Sequence, residues 1–187
     1  MTNSDTDRVP SLSEWACLGI LADEPAHGWA VARRLGRDGD IGRIWHLSRP
    51  LTYRALDHLT ARGWIRPVAE EPGDAGPNRV ILAVTRTGRA RLRTWLTTPI
   101  PHLRDLRSEL LLKLVFAERH GIDVNDMLDR QRAIIDEQAN GLAMAALNEP
   151  GDVVTLWRIE STDAARRFLD RVGRADTTSL HRGCSTA

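Results

Sequence analysis

Apolar residues near the start of the chain recur at helical spacing. Leu12, Trp15, Ala16, Gly19 and Ile20 fall on one face of a helix running to about Ala22. Ser11 or Ser13 can cap it, and Glu14 stands three residues after Ser11, the spacing of a reciprocal capping box. Asp23-Glu24-Pro25 ends this helix. The pattern then predicts a second helix over 26–36 that buries Trp29, Val31, Ala32 and Leu35. Gly36-Arg37-Asp38-Gly39-Asp40 breaks it, and Ile41–Leu47 reads as a short extended link. A third helix starts at a Ser48 cap with Pro50 in its first turn. Thr52, Leu56 and Leu59 share its inner face, and Gly63 closes it at a position that favours a left-handed residue. Two extended runs, 64–70 and 79–85, flank the loop EPGDAGPN. Thr85 then caps a fourth helix carrying Leu92, Trp95 and Leu96. Three helices followed by a two-stranded wing is the layout of a winged helix-turn-helix.

Pro99 and Pro101 mark a boundary, after which the periodicity predicts helices at about 103–119, 125–147 and 151–173. In the second, Leu128, Ile135 and Leu142 stand seven apart with Ala139 and Ala146 between, a seam that admits close helix approach. Such a seam can face a neighbouring helix or a partner subunit. The third carries Val154, Trp157, Ala165, Phe168 and Val172 at helical spacing. The expected fold is mainly α with a small β-wing: a winged helix-turn-helix over 11–98 and a helical domain over 99–174. Residues 1–10 and 175–187 are expected to be disordered tails.

Charge sharpens the reading. The formal net charge is only +1, but from His27 to Arg66 eight arginines stand against three aspartates. From Pro99 onward acidic residues outnumber basic ones, 14 to 12. A basic module beside a mildly acidic one suits phosphate binding, although a solvated arginine-rich surface has the same composition. The third helix carries Ser48, Arg49, Thr52, Tyr53 and Arg54 in its first turns, side-chain types that grip phosphates and base edges. Arg49 and Arg54 are the base-edge candidates, because a guanidinium pairs with guanine through two hydrogen bonds. Ser48 and the Tyr53 hydroxyl suit phosphate. At the wing, Asn78 and Arg79 can reach phosphate or the minor groove, or belong to a solvated loop. His27 and Gly28, opening the second helix, can offer backbone N–H groups to phosphate, or His27 can simply hydrogen-bond the helix start.

The segments LGILADEPAHGWAVARRL, WHLSRPLTYRALDHLTARGWI, NRVILAVTRTGRARLRTWL and LRSELLLKLVFA resemble the PadR family of bacterial transcriptional regulators. The likeness covers about residues 15–117. It rests on the His27-Gly28-aromatic start of helix two, the serine-plus-tyrosine pattern of helix three and the Thr-x-x-Gly opening of helix four. The chain departs from the family's usual pattern at Trp29, Pro50, Leu51-Thr52 and Leu82. The resemblance implies double-stranded DNA as partner and a homodimer with a helical C-terminal dimerisation region. It also implies a repressor that a small molecule releases from a pseudo-palindromic operator. In that frame Leu128, Ile135, Ala139, Leu142, Trp157 and Phe168 are the dimer-interface candidates. Six tryptophans against one tyrosine suggest a planar aromatic effector bound between the winged helix and the C-terminal helices. Trp95 and Trp157 are its candidate contacts, while Trp15, Trp45 and Trp64 read as core.

Other classes lack support. Cys17 lies in an apolar run and Cys184 in a polar tail, which forms neither a disulfide framework nor a metal spacing. The six histidines form no tidy ligand set, so no metal or cofactor is expected. No acid, base and nucleophile converge, so the chain does not read as an enzyme. No apolar run approaches the length of a membrane span and no signal peptide opens the chain, so a cytoplasmic protein is expected. The rival reading is a winged helix used as a protein-interaction module with no operator of its own.

Overall fold

The computed structural model describes residues 8–72, 78–148 and 152–179. Helix α1 (Leu12–Asp23) opens with the expected capping box: the Glu14 N–H lies 3.4 Å from Ser11 Oγ, and the Ser11 N–H donates to Glu14 Oε2 at 2.6 Å. Strand β1 (Ala26–His27) and helix α2 (Gly28–Arg34) follow. Helix α3 (Arg49–Ala61) ends with Gly63 in the left-handed region, φ 67°. Strands β2 (Ile65–Glu71) and β3 (Arg79–Val84) form the wing. Thr85 then caps α4 (Arg86–Leu96), its Oγ1 accepting from the Gly88 N–H at 3.1 Å. A 3-10 turn and a wider π-helical turn lead into α5 (Leu111–His120). Helices α6 (Asn125–Asn148) and α7 (Val153–Ser179) complete the chain.

The sheet is three-stranded and antiparallel, in the order β1-β3-β2. Ala26 and His27 pair with Leu82 and Ile81, so what reads in sequence as the start of helix two is a short strand stitching α1 to the wing. Helix α2 is consequently shorter than expected, and Trp29, expected in the core, is 46% exposed. Ile41–Leu47 is not an extended link. Hydrogen bonds from the Ile44 and Trp45 N–H groups to the Ile41 carbonyl coil it into a turn that buries Ile41 and Leu47. Ser48 occupies the N-cap of α3 but its hydroxyl makes no cap hydrogen bond.

Two compact units result. The first combines the chain up to Leu96 with Arg107–Ile122; the second combines Thr97–Leu106 with the chain from Asp123 onward. The boundary expected near Pro99 is therefore crossed, because α5 packs with α1 and α4 rather than with α6 and α7. Phe116 of α5 is fully buried, and its ring lies against Gly19, where an added Cβ would sit 2.5 Å from it. Charges bind the same elements. Asp40 accepts from Arg34 Nη2 at 2.7 Å and pairs with Arg119 Nη1 at 2.9 Å, while Asp23 receives Arg34 at 2.8 Å.

In the second unit Leu128 and Ile135 are buried within the chain, as are Ala165 and Leu169 of the adjoining α7. The buried Gln131 amide holds the 97–106 strap. It accepts from the Ile100 N–H at 2.8 Å and donates to the Ile100 carbonyl at 3.0 Å. Residues 8–10, expected in a disordered tail, are anchored by Arg8. Its guanidinium reaches buried Glu14 at 2.8 Å and its carbonyl accepts from Arg62. The α7 backbone continues as helix past the expected end at Arg174. The rest of both expected tails, and the wing tip at 73–77, lie outside the described residues.

The Asp40 cluster carries a pH signature. Hydrogen bonding from Arg34, with help from Arg119, lowers the Asp40 carboxyl from 3.8 to about 2. A carboxylate depressed in the folded state stabilises it fully above the unfolded value and loses that contribution as pH falls through the folded one. Asp40→Asn is therefore expected to flatten the stability-versus-pH curve between 3.8 and about 2. Urea denaturation across that interval checks it; slopes that match in wild type and variant would contradict the assignment.

Candidate nucleic-acid interface

Helix α3 divides sharply by face. Thr52, Ala55, Leu56 and Leu59 are buried, and Arg49, Pro50, Tyr53, Arg54 and Asp57 point outward. Arg49 and Arg54 enter no intramolecular ion pair or hydrogen bond among the described residues, so both guanidinium forks are open to an external acceptor. Ser48 Oγ, unused as a cap, is exposed at the positive end of the same helix. Thr52 departs from the expected set. It is 0% exposed and its hydroxyl donates to the Ser48 carbonyl at 3.1 Å. Its place on the inner face commits its hydroxyl to the helix's own backbone and turns its side chain away from the outer face.

Tyr53 is 43% exposed, and the glycine that opens α2 fixes where it lies. A Cβ at Gly28 would come within 2.7 Å of Tyr53 Cε1, so the phenol ring rests on the Gly28 backbone. Gly28 thus serves the site through the space it leaves. His27 caps α2, its Nδ1 accepting from the Ala30 N–H at 3.1 Å. An accepting Nδ1 places the neutral ring's proton on Nε2. This is the helix-start role that the sequence left open.

The wing contributes less than its sequence suggested. Asn78 Nδ2 donates to Glu70 Oε2 at 3.4 Å, which ties the amide across the hairpin, whereas Arg79 is exposed. Trp29, missed because its spacing matched a core residue, lies open with the Arg33 guanidinium 5.3 Å from its ring centre. Together His27, Gly28, Trp29, Tyr53 and Asp57 line one side of a groove of about 560 Å³, with β3 on the other.

The effector candidates separate. Trp95 belongs to the core: it is 8% exposed, stacks on Trp15 at 5.1 Å and donates from Nε1 to Glu109 at 2.9 Å. Lys113 lies over the same ring and pairs with Glu109 at 3.0 Å. Burial pushes the Lys113 amine below its ordinary range, against the pull of Glu109. That packing leaves Trp95 no place as a ligand contact. Trp157 is the opposite case, 72% exposed on α7. Of the dimer candidates, Leu128 and Ile135 are buried inside their own unit and are not available to a partner. Ala139, Leu142 and Phe168 are half-buried. The open apolar surface lies instead at Met144 and along the start of α7, at Val153, Val154, Leu156 and Trp157.

Among the described residues no cluster of metal-ligating side chains is present and no helix is long and apolar enough to cross a membrane. The three-helix head, the outward basic helix and the antiparallel wing define a winged helix-turn-helix fold. Residues 17–94 match the model of the transcriptional regulator PadR-like family. The chain is 28% identical over 96 residues to the probable transcriptional regulator Rv1176c of Mycobacterium tuberculosis. That match spans 51% of this chain and 49% of the relative, about half of each. Among solved structures, Bacillus subtilis PadR in complex with operator DNA is similar at 17% identity and TM-score 0.45, covering 86% of this chain and 97% of that one. The smu.1604c protein of Streptococcus mutans is similar at 16% identity and TM-score 0.42, covering 84% and 96%.

The seating of Tyr53 is testable because it is the only tyrosine. Gly28→Ala is expected to shift the single tyrosine ring signal in a tyrosine-labelled NMR sample. It should also cost about 1–3 kcal/mol of stability as the ring is forced outward. An unchanged ring signal would show that the phenol does not rest on Gly28.

Proposed function

We propose that this chain is a homodimeric, ligand-responsive repressor that reads a pseudo-palindromic operator with α3. The observation that carries the reading is the outer face of α3, where Arg49, Tyr53 and Arg54 stand exposed beside the wing. A helix of this kind placed in the major groove sets guanidinium groups against guanine edges and a phenol hydroxyl against phosphate. Two such heads on one dimer address half-sites about one helical turn apart. The apolar start of α7 supports assembly. Val153 and Trp157 lie on one face, with Val154 and Leu156 flanking them, and all four are more than half exposed. A surface of that kind is covered in a stable regulator, and a second copy is the occupant that doubles the reading heads. A ligand releases the operator only if it binds the non-DNA-binding arrangement more tightly.

Fluorescence anisotropy with DNA from upstream of the chain's own gene tests the core of this reading. Arg54→Ala is expected to lose about 1–3 kcal/mol on that DNA and to relax preference at one base step. Tyr53→Phe should weaken operator and scrambled DNA alike. Equal losses on both DNAs for Arg54→Ala would make it a phosphate anchor. No binding to any upstream fragment would favour a protein-interaction module.

Assembly is tested on the full chain, because cutting near Pro99 would remove α5 from the winged-helix core. Sedimentation is expected to show a dimer at micromolar concentration. Trp157→Asp should shift it towards monomer and weaken operator binding through loss of the linked second contact. A wild-type chain that sediments as a monomer would contradict the dimer.

A further inference from the structure

The groove between α3 and the wing has a composition that DNA contact does not explain. Its walls include the rings of His27, Trp29 and Tyr53, the aliphatic Leu56 and Val80, the carboxylate of Asp57 on α3 and, across the groove on β3, the guanidinium of Arg79. Trp29, Tyr53 and Val80 are each more than 40% exposed, an apolar cost on a face otherwise rich in arginine. Asp57 lies one helical turn beyond Tyr53 and is exposed, and no hydrogen bond or ion pair engages it among the described residues. Arg79 would attract a phosphate on the wing side, but on the α3 side, between the rings, a phosphate would meet the like charge of Asp57. A cation would meet the carboxylate and the faces of electron-rich rings, and Trp29 already attracts one cation, the Arg33 guanidinium.

We propose that this groove is a small-molecule site for a planar aromatic cation, with Asp57 as its counter-charge and Trp29 and Tyr53 as its aromatic walls. The volume, about 560 Å³, lies in the range that encloses such ligands. The proposal deepens the reading of the chain as a ligand-responsive repressor and rests on it for its biological sense. It also changes the mode of release. Tyr53 belongs both to the groove and to the outer face of α3, so an occupant takes the place of DNA directly, without a signal passing from elsewhere in the molecule.

Calorimetry on the full-length protein, without DNA, tests the site with three probes of one shape: 2-naphthylmethylamine, 2-naphthylmethanol and 2-naphthoate. The amine is expected to bind and to outrank the carboxylate at least fivefold. Asp57→Asn should weaken the amine about three- to fivefold and remove the preference. Trp29→Ala should weaken all three probes while a melt shows the fold retained. Failure of the amine to bind at millimolar concentration, or unchanged amine affinity in Asp57→Asn, overturns the site. In a second titration saturating amine should displace the upstream DNA; a ternary complex overturns the direct mode of release. The two readings fail separately. DNA binding without amine binding removes only the site, and amine binding by a chain that binds no DNA removes only the regulator.

Discussion

Helix α3 lies with Thr52, Ala55, Leu56 and Leu59 turned into the core that α1 supplies, and the direction of every other side chain on it follows from that burial. At 3.6 residues per turn, fixing those positions inward leaves Arg49, Tyr53, Arg54 and Asp57 no direction but outward. The inner face is apolar except for Thr52, which satisfies its own hydroxyl on the Ser48 carbonyl. The outer face is therefore set by packing on its reverse side. A cavity under Leu59 would disturb it as surely as a change at Arg54.

Local chemistry made much of this legible. Ser11 with Glu14, Gly63 after α3 and Thr85 before α4 each mark an element end through groups that act within four residues, and the structure shows all three. The wing strands were readable from their apolar runs and the turn residues between them. Non-local facts were not readable. Strand β1 is two residues long, too short for any periodicity, and exists only because β3 offers a free edge. The same pairing shortens α2 and turns Trp29 outward, so a tryptophan at core spacing became part of the candidate site. Trp95 misled in the other direction. Nothing in its neighbourhood of sequence announces that Trp15, eighty residues earlier, stacks on it.

Helix α5 also defied the sequence, and its reasons are physical. Pro99 and Pro101 do interrupt regular structure, but the chain crosses the gap and returns Phe116 to the space above Gly19. Glu109 and Lys113 arrive with it beneath Trp95, and Arg119 reaches Asp23 and Asp40. A buried amine beside a carboxylate and an indole is tolerable only because all three satisfy one another, and removing one member leaves a desolvated charge. The winged-helix unit is consequently discontinuous in the chain, and its last helix is contributed after the strap that belongs to its neighbour.

The burial of Lys113 has a chemical consequence beyond packing. It is the only lysine, and it is 1% exposed. The described surface thus presents its fixed positive charge entirely as guanidinium, which keeps its proton across the biological pH range. Acetyl transfer to side-chain amines, a common way of cancelling positive charge on DNA-facing surfaces, finds no accessible acceptor there. Amine-directed crosslinkers meet the same obstacle across the described surface.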